Sequence, residues 1–223
     1  MSEWWTYTLA DIQSFSLQTW YRLFELYNRA IWPAHIAAVG AGVWIWFLLR
    51  RSDVRRGRVI AAILAGSWLW IAIAFHVARY ATLTWSARYY AWGFGLEAGL
   101  LLWSGVIRGR IVFERRAAGL AIFLFALVAQ PMLGPLFGRS WRQVEVFGVA
   151  PDPTAIATLG LLLLATGRVR WELMVLPLLW CAISGATLLS MKAPAAGIPL
   201  AADVIVVILA LAPRRRNSRK EAR

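Results

Sequence analysis

VIAAILAGSWLWIAIAFHVA, residues 59–78, contains no Asp, Glu, Lys or Arg. As a helix rising 1.5 Å per residue it covers about 30 Å, the thickness of the hydrocarbon core of a bilayer. Similar runs occur at about 31–49, 89–107, 117–137, 154–166, 171–190 and 197–212, separated by short polar or proline-containing connections. The fifth and seventh are short. The whole chain is 60% hydrophobic with a mean hydropathy of +0.59, where soluble domains run nearer about 45–50% apolar. The expected fold is all-α, a polytopic membrane protein with about seven transmembrane helices. Residues 1–30 lack a basic start followed by a continuous apolar stretch, so they are expected to be retained rather than cleaved as a signal peptide. Cys181 is the only cysteine, which excludes an intramolecular disulfide.

The formal net charge of +13 raises the question of nucleic acid, and the tail RRRNSRK (214–220) has the composition of a basic patch. The placement of the charges points to topology instead. RRSDVRRGR (50–58), RGRIVFERR (108–116), GRVR (167–170) and the tail after Pro213 hold most of the Lys and Arg. Arg22, Arg29, Arg79, Arg88, Arg139, Arg142 and Lys192 are all that the alternate connections and the N-terminal segment carry. Seven crossings with the basic connections inside require that alternation. The N-terminus is then outside and the C-terminus cytoplasmic, no nucleic acid is expected, and the basic loops and tail are expected to meet anionic lipid. The chain divides into a periplasmic or interfacial segment over 1–30, a seven-helix domain over 31–212 and a basic cytoplasmic tail over 213–223.

In SLQTWYRLFELYNRAIW (16–32), Trp20, Leu23, Phe24, Tyr27 and Ile31 recur at helical spacing, with Arg22, Glu25 and Arg29 on another face. This predicts an amphipathic helix lying in the membrane interface. The fourteen tryptophans fall largely near span borders, as interfacial belts do.

The chain also echoes itself. Pro33, Ile36, Ala37 and Gly40 match Pro153, Ile156, Ala157 and Gly160. Gly57–Arg58–Val59 matches Gly167–Arg168–Val169, and Leu69–Trp70–Ile71–Ala72–Ile73 matches Leu179–Trp180–Cys181–Ala182–Ile183. These echoes suggest a 3+1+3 arrangement of two parallel repeats with the fourth span as linker, and transporter sites lie between such halves. Prolines at span starts and basic turns would produce similar matches without duplication.

Ionisable groups inside spans are costly and tend to face protein or water. His35, His76, Glu97, Gln130, Asp152 and Asp203 lie at depths of roughly 13–25 Å above the cytoplasmic ends of their spans. This places all six at the midplane or in the outer half. The pattern predicts an outward-facing polar cavity floored by Glu97 and Asp203, with His35 and His76 in its wall. Glu97 stands between Gly95 and Gly99, a GxxxG pair expected to admit a close helix contact. Asp152, between Pro151 and Pro153, is expected to be extended and to cap the fifth helix or to mark a broken-helix site.

The function expected is transport or permeation of a small solute or ion, with Glu97, Asp203, His35, His76, Asp152 and Gln130 as its binding residues. One alternative is a metal- or haem-binding membrane sensor or redox protein that uses His35, His76 and Asp152; another is an assembly subunit with no site. No HxxxH, CxxC, GxSxG, P-loop or dinucleotide motif is present, so no cofactor or catalytic residue is expected.

FELYNRAIWPA (24–34), AFHVARYA (74–81) and FGVAPDPTAIATLGLLLLA (147–165) give the chain a resemblance to domain of unknown function 6064, a family of bacterial integral membrane proteins. The resemblance covers nearly the whole chain. It implies a small multi-span protein of the bacterial inner membrane and supplies no catalytic residues. Members of that family often carry Pro-Cys-Pro-Thr where this chain has Pro151–Asp152–Pro153–Thr154. That departure removes a thiolate from the position, and a capping role would survive it.

Overall fold

The computed structural model describes residues 15–212. The basic tail and residues 1–14 of the N-terminal segment lie outside the described residues. The described chain is all-α, with one isolated bridge between Phe113 and Ala165. Its eight principal helices are α1 (Leu17–Ile31), α2 (Ala34–Leu48), α3 (Val54–Trp70, continuing as a π-helical segment over Ile71–Val77), α4 (Ala87–Leu101, with a π segment over Leu102–Ile107), α5 (Ala117–Leu136, with a π segment over Phe125–Ala129), α6 (Pro151–Leu163), α7 (Trp171–Ser190) and α8 (Gly197–Leu211).

Each of the seven apolar runs falls on one of the helices α2–α8. By length and apolarity, three helices could cross a membrane: α3 extended through Thr82, α5 and α7. A fourth is gained if α1 and α2, bent by 89° at Trp32–Pro33, count as one broken segment. α8 is apolar but shorter.

Local chemistry sets several of these boundaries. Ser16 caps α1 by accepting from the Thr19 N–H at 3.3 Å, and Asp53 caps α3 by accepting from the Arg56 N–H at 2.9 Å. Proline at residue 33 cannot donate a backbone hydrogen bond, so the helix stops there and the chain turns the corner.

α6 is the axis of the bundle. Every residue from Pro151 to Leu163 is buried, so the helix is enclosed on all sides, with α3, α5, α7 and α8 packed around it. Two glycines permit its closest contact. A Cβ on Gly160 would lie 2.8 Å from the Phe123 nitrogen and 2.9 Å from the Gly119 oxygen, while one on Gly119 would lie 2.7 Å from the Gly160 oxygen. The backbones of α5 and α6 therefore touch directly, as small residues allow in membrane bundles.

The basic connections converge on one end. The Glu114 N–H donates to the Leu164 carbonyl and the Thr166 N–H to the Val112 carbonyl, both at 2.8 Å, and the Arg170 guanidinium donates to the Arg110 carbonyl. Gly57 packs on the Ile111 backbone, and Gly109 abuts Arg58. At the opposite end, Asn28 donates to the Arg142 and Val144 carbonyls at 2.9 Å each, and the Tyr27 hydroxyl donates to the Val149 carbonyl at 2.7 Å.

Three local expectations need correction. α1 is amphipathic as read, but Trp20, Phe24 and Tyr27 pack onto Phe75 and Tyr80 at ring distances of 5.1–6.2 Å, so protein covers the face expected to enter lipid. A Cβ on Gly95 or Gly99 would meet nothing within 4 Å among the described residues. The GxxxG pair therefore makes no tight helix contact there; Glu97, between the two glycines, turns inward instead. Asp152 is a residue of the first turn of α6, not its cap, because the extended residue ahead of the helix is Ala150.

The internal echo has mixed structural counterparts. The matched Trp70 and Trp180 both use their indole N–H to hold a polar group at the same end of the bundle, Tyr27 and Asp152 respectively. The matched Gly40 and Gly160 differ, since Gly40 faces open space while Gly160 lies in a backbone crossing.

Candidate functional site

Some of the polar groups that the sequence placed in the outer halves of the spans, Asp152, Asp203 and Gln130, gather near α7 and the start of α6. Asp152 is 5% exposed, and both of its carboxylate oxygens are engaged. The Trp180 indole N–H donates to Oδ1 and the Ser184 hydroxyl to Oδ2, each at 2.8 Å. Trp180 and Ser184 stand one turn apart on α7, so a single helix face presents both donors to the start of α6. Cys181, also buried, lies beside Asp203 of α8 and within electrostatic range of Asp152.

Beside Asp152 is an ion pair buried in the connection between α5 and α6. Arg139 donates to Glu145 at 2.7 Å and also to the Gln143 carbonyl, while its guanidinium lies over the Tyr21 and Phe24 rings at 4.8 and 5.4 Å. Asp152, Arg139, Glu145 and Gln130 line one small chamber of about 30 Å³. That is room for about one water molecule.

His76 lies in the π segment of α3, enclosed by rings: Phe94 at 4.5 Å, Trp180 at 5.0 Å, Phe75 at 5.2 Å, Tyr80 at 5.9 Å and Tyr90 at 6.0 Å. Among the described residues neither ring nitrogen of His76 has a hydrogen-bond partner, nor does either carboxylate oxygen of Glu97, and both residues are fully buried. Trp180 joins His76 to the cluster by packing on its ring while donating to Asp152.

His35 lies elsewhere. Asn28 uses its amide nitrogen on two carbonyls, so its oxygen faces His35 Nε2 at 3.2 Å, and Nε2 must be the donor. His35 thus braces the α1–α2 corner, which is gripped through Asn28 by the connection at 142–144. It lines an open groove between α2 and α5 that contains none of the other five candidate residues.

The common cavity of His35, His76, Glu97 and Asp203 is therefore not formed. His35 lines the α2–α5 groove, while His76, Glu97 and Asp203 line none of the three clefts described among these residues. Aromatic rings fill the space around His76 that water was expected to occupy. Among the described residues, no three His, Cys, Asp or Glu side chains come together as a metal site. Asp152, Gln130, Asp203 and, through Trp180, His76 do share one end of the bundle.

The sequence reading missed Arg139 with Glu145, and Trp180 with Ser184. The first pair sits in a polar connection, where charges ordinarily mean solvent. The second had a signal, since Trp180 and Ser184 are spaced at i and i+4 on a span facing an acid-bearing helix start.

Fold and site define a class: an all-α protein with several helices apolar enough to cross a membrane and a buried polar cluster at the end remote from its basic loops. The chain belongs to the family of unknown function DUF6064, which matches residues 17–221. No curated protein and no solved structure matches it.

Proposed function

We propose that the chain is a bacterial inner-membrane protein in which α2–α8 cross the membrane, the N-terminus lying outside and the basic end of the bundle cytoplasmic. The convergence of the three described basic connections at one end supports that orientation. Reporters fused after residue 53 and after residue 115 are expected to behave as cytoplasmic, and one inserted at residue 84 as periplasmic. A periplasmic signal from either basic connection would refute the orientation.

Its function in this reading is transport of a small ion or solute, with the Asp152 cluster as the binding and coupling site. The observation that carries it is a carboxylate enclosed in the bundle, held by Trp180 and Ser184, and sharing a one-water chamber with the Arg139–Glu145 pair. An intramembrane acid with named partners marks an ion or proton pathway by default. Glu97 and His76, buried without hydrogen-bond partners among the described residues, are further groups at which a proton could reside.

Liposomes containing the purified chain and trapped dyes for protons, sodium and potassium should dissipate imposed gradients of at least one of these ions faster than empty liposomes. Asp152→Asn is expected to slow this by about tenfold or more, the scale of removing a group that handles the proton directly. Asparagine can still accept from Trp180, so the fold should persist. If all three gradients survive as long as they do in empty liposomes, the ion-handling reading is wrong.

A further inference from the structure

The α2–α5 groove holds about 760 Å³, within the roughly 300–1,000 Å³ of sites that bury small ligands. Its chemistry is graded along its length. At one end stand Arg29 and Arg142, both exposed, with the Trp32 and Trp141 rings beside them. Below His35 the α2 wall is Val39 and Val43, at successive turns of one helix face, and the facing wall includes Leu127, Val128 and Met132 of α5. From His35 to Val43 the groove descends about 12 Å along the helix.

Neither Arg29 nor Arg142 makes an ion pair with an acid among the described residues. Glu25 is bridged to Arg22 at 2.8 Å, and Glu145 is taken by the buried Arg139. Two guanidiniums without a direct ion-pair partner among the described residues, Arg29 sensing Glu25 only at longer range, therefore stand over an apolar slot, flanked by tryptophans of the kind that settle at headgroup depth. A soluble anion would satisfy the arginines and leave the slot empty, a lipid without phosphate would fill the slot and leave the arginines unmatched, and a zwitterionic phospholipid would bring a cation of its own beside them.

We propose that this groove binds one anionic phospholipid of the outer leaflet, its phosphate at Arg29 and Arg142 and an acyl chain along Val39, Val43 and Val128. The proposal rests on the membrane reading of the bundle but not on ion handling at Asp152. Guanidinium is suited to this role because its fork matches phosphate oxygens in pairs. A phospholipid seated here would also fill the gap between α2 and α5, which otherwise approach each other where Gly42 meets Leu127.

The test is native mass spectrometry of the full chain, purified in detergent with equal phosphatidylglycerol and phosphatidylcholine. The wild-type chain should retain one phosphatidylglycerol, preferred by about tenfold or more, the scale two basic contacts near a membrane surface provide. R29Q/R142Q should abolish the preference, R29K/R142K should keep only the part due to charge and fall between wild type and R29Q/R142Q, and Val43→Trp, which fills the slot and leaves both arginines, should expel the lipid. Asp152→Asn should leave retention unchanged, which separates this site from the transport reading. Lack of preference in the wild type would overturn the proposal. So would a preference that survives both R29Q/R142Q and Val43→Trp, because the basic connections and tail would then be its source. A dimer that Val43→Trp dissociates would assign the groove to a second copy of the chain instead.

Discussion

Replacing Arg139 by alanine is expected to destabilise the protein by about 3–5 kcal/mol, the usual result of leaving one partner of a buried ion pair uncompensated. Arg139 and Glu145 are only 9% and 8% exposed. Among the described residues the guanidinium is the one side chain that hydrogen-bonds Glu145, it anchors the Gln143 carbonyl, and it covers the Tyr21 and Phe24 rings of α1. Without it, Glu145 stays buried close to the Asp152 carboxylate, so two acids face each other with no cation between them. The double variant Arg139→Met, Glu145→Leu should recover most of the loss, because volume is kept and no charge is stranded. Thermal unfolding in detergent, followed by tryptophan fluorescence, measures both. An alanine variant within about 1 kcal/mol of wild type would mean that Glu145 is already solvated or protonated, and the pair would then not hold the α5–α6 connection in place.

Gly160→Ala should produce the second large effect, a loss of about 1–3 kcal/mol from overpacking. The new methyl would sit against the Phe123 nitrogen and the Gly119 oxygen, backbone atoms that cannot rotate away. Gly40→Ala is the internal control. Its helix position is exposed and nothing lies within 4 Å of the added carbon, so the change should be neutral or stabilising by up to about 1 kcal/mol through helix propensity. The two glycines occupy matching places in the sequence echo, so equal effects would mean that the halves pack alike after all. Opposite effects would mean that the echo does not extend to their packing.

The helices were legible because apolar runs between charges are a one-dimensional signal, and each run from 31–49 to 197–212 lies on one helix. The two ends of the bundle were legible for the same reason, since basic connections recur at alternate turns. What stayed hidden was direction around each helix. Spans that are apolar on all sides give no periodicity to say which side is inward, so Glu97 could be assigned a depth but not a neighbour. Gly95 and Gly99 illustrate the cost: the spacing fits a close crossing, but the crossing glycines are Gly119 and Gly160, on helices where no short motif marks them. His35 was given the wrong neighbours because depth alone cannot say which cleft a residue lines or that it braces a helix corner. Asn28, which decides the matter, lies on the other side of Pro33.

Because α6 occupies the axis with every residue covered, the bundle has no bore. Material moving between its ends cannot diffuse down a central conduit and must pass beside α6, which requires α3, α5, α7 or α8 to part from it in turn. The Gly119–Gly160 contact fixes α5, the Trp68 indole N–H ties α3 to Thr158, and Trp180 and Ser184 tie α7 to Asp152, leaving α8 as the neighbour with no hydrogen bond to α6 among the described residues. If the bundle transports a solute as proposed, flux is limited by the frequency of helix rearrangement rather than by diffusion. Planar-bilayer recordings should therefore show no unitary current steps, even under conditions in which liposomes slowly lose their gradients.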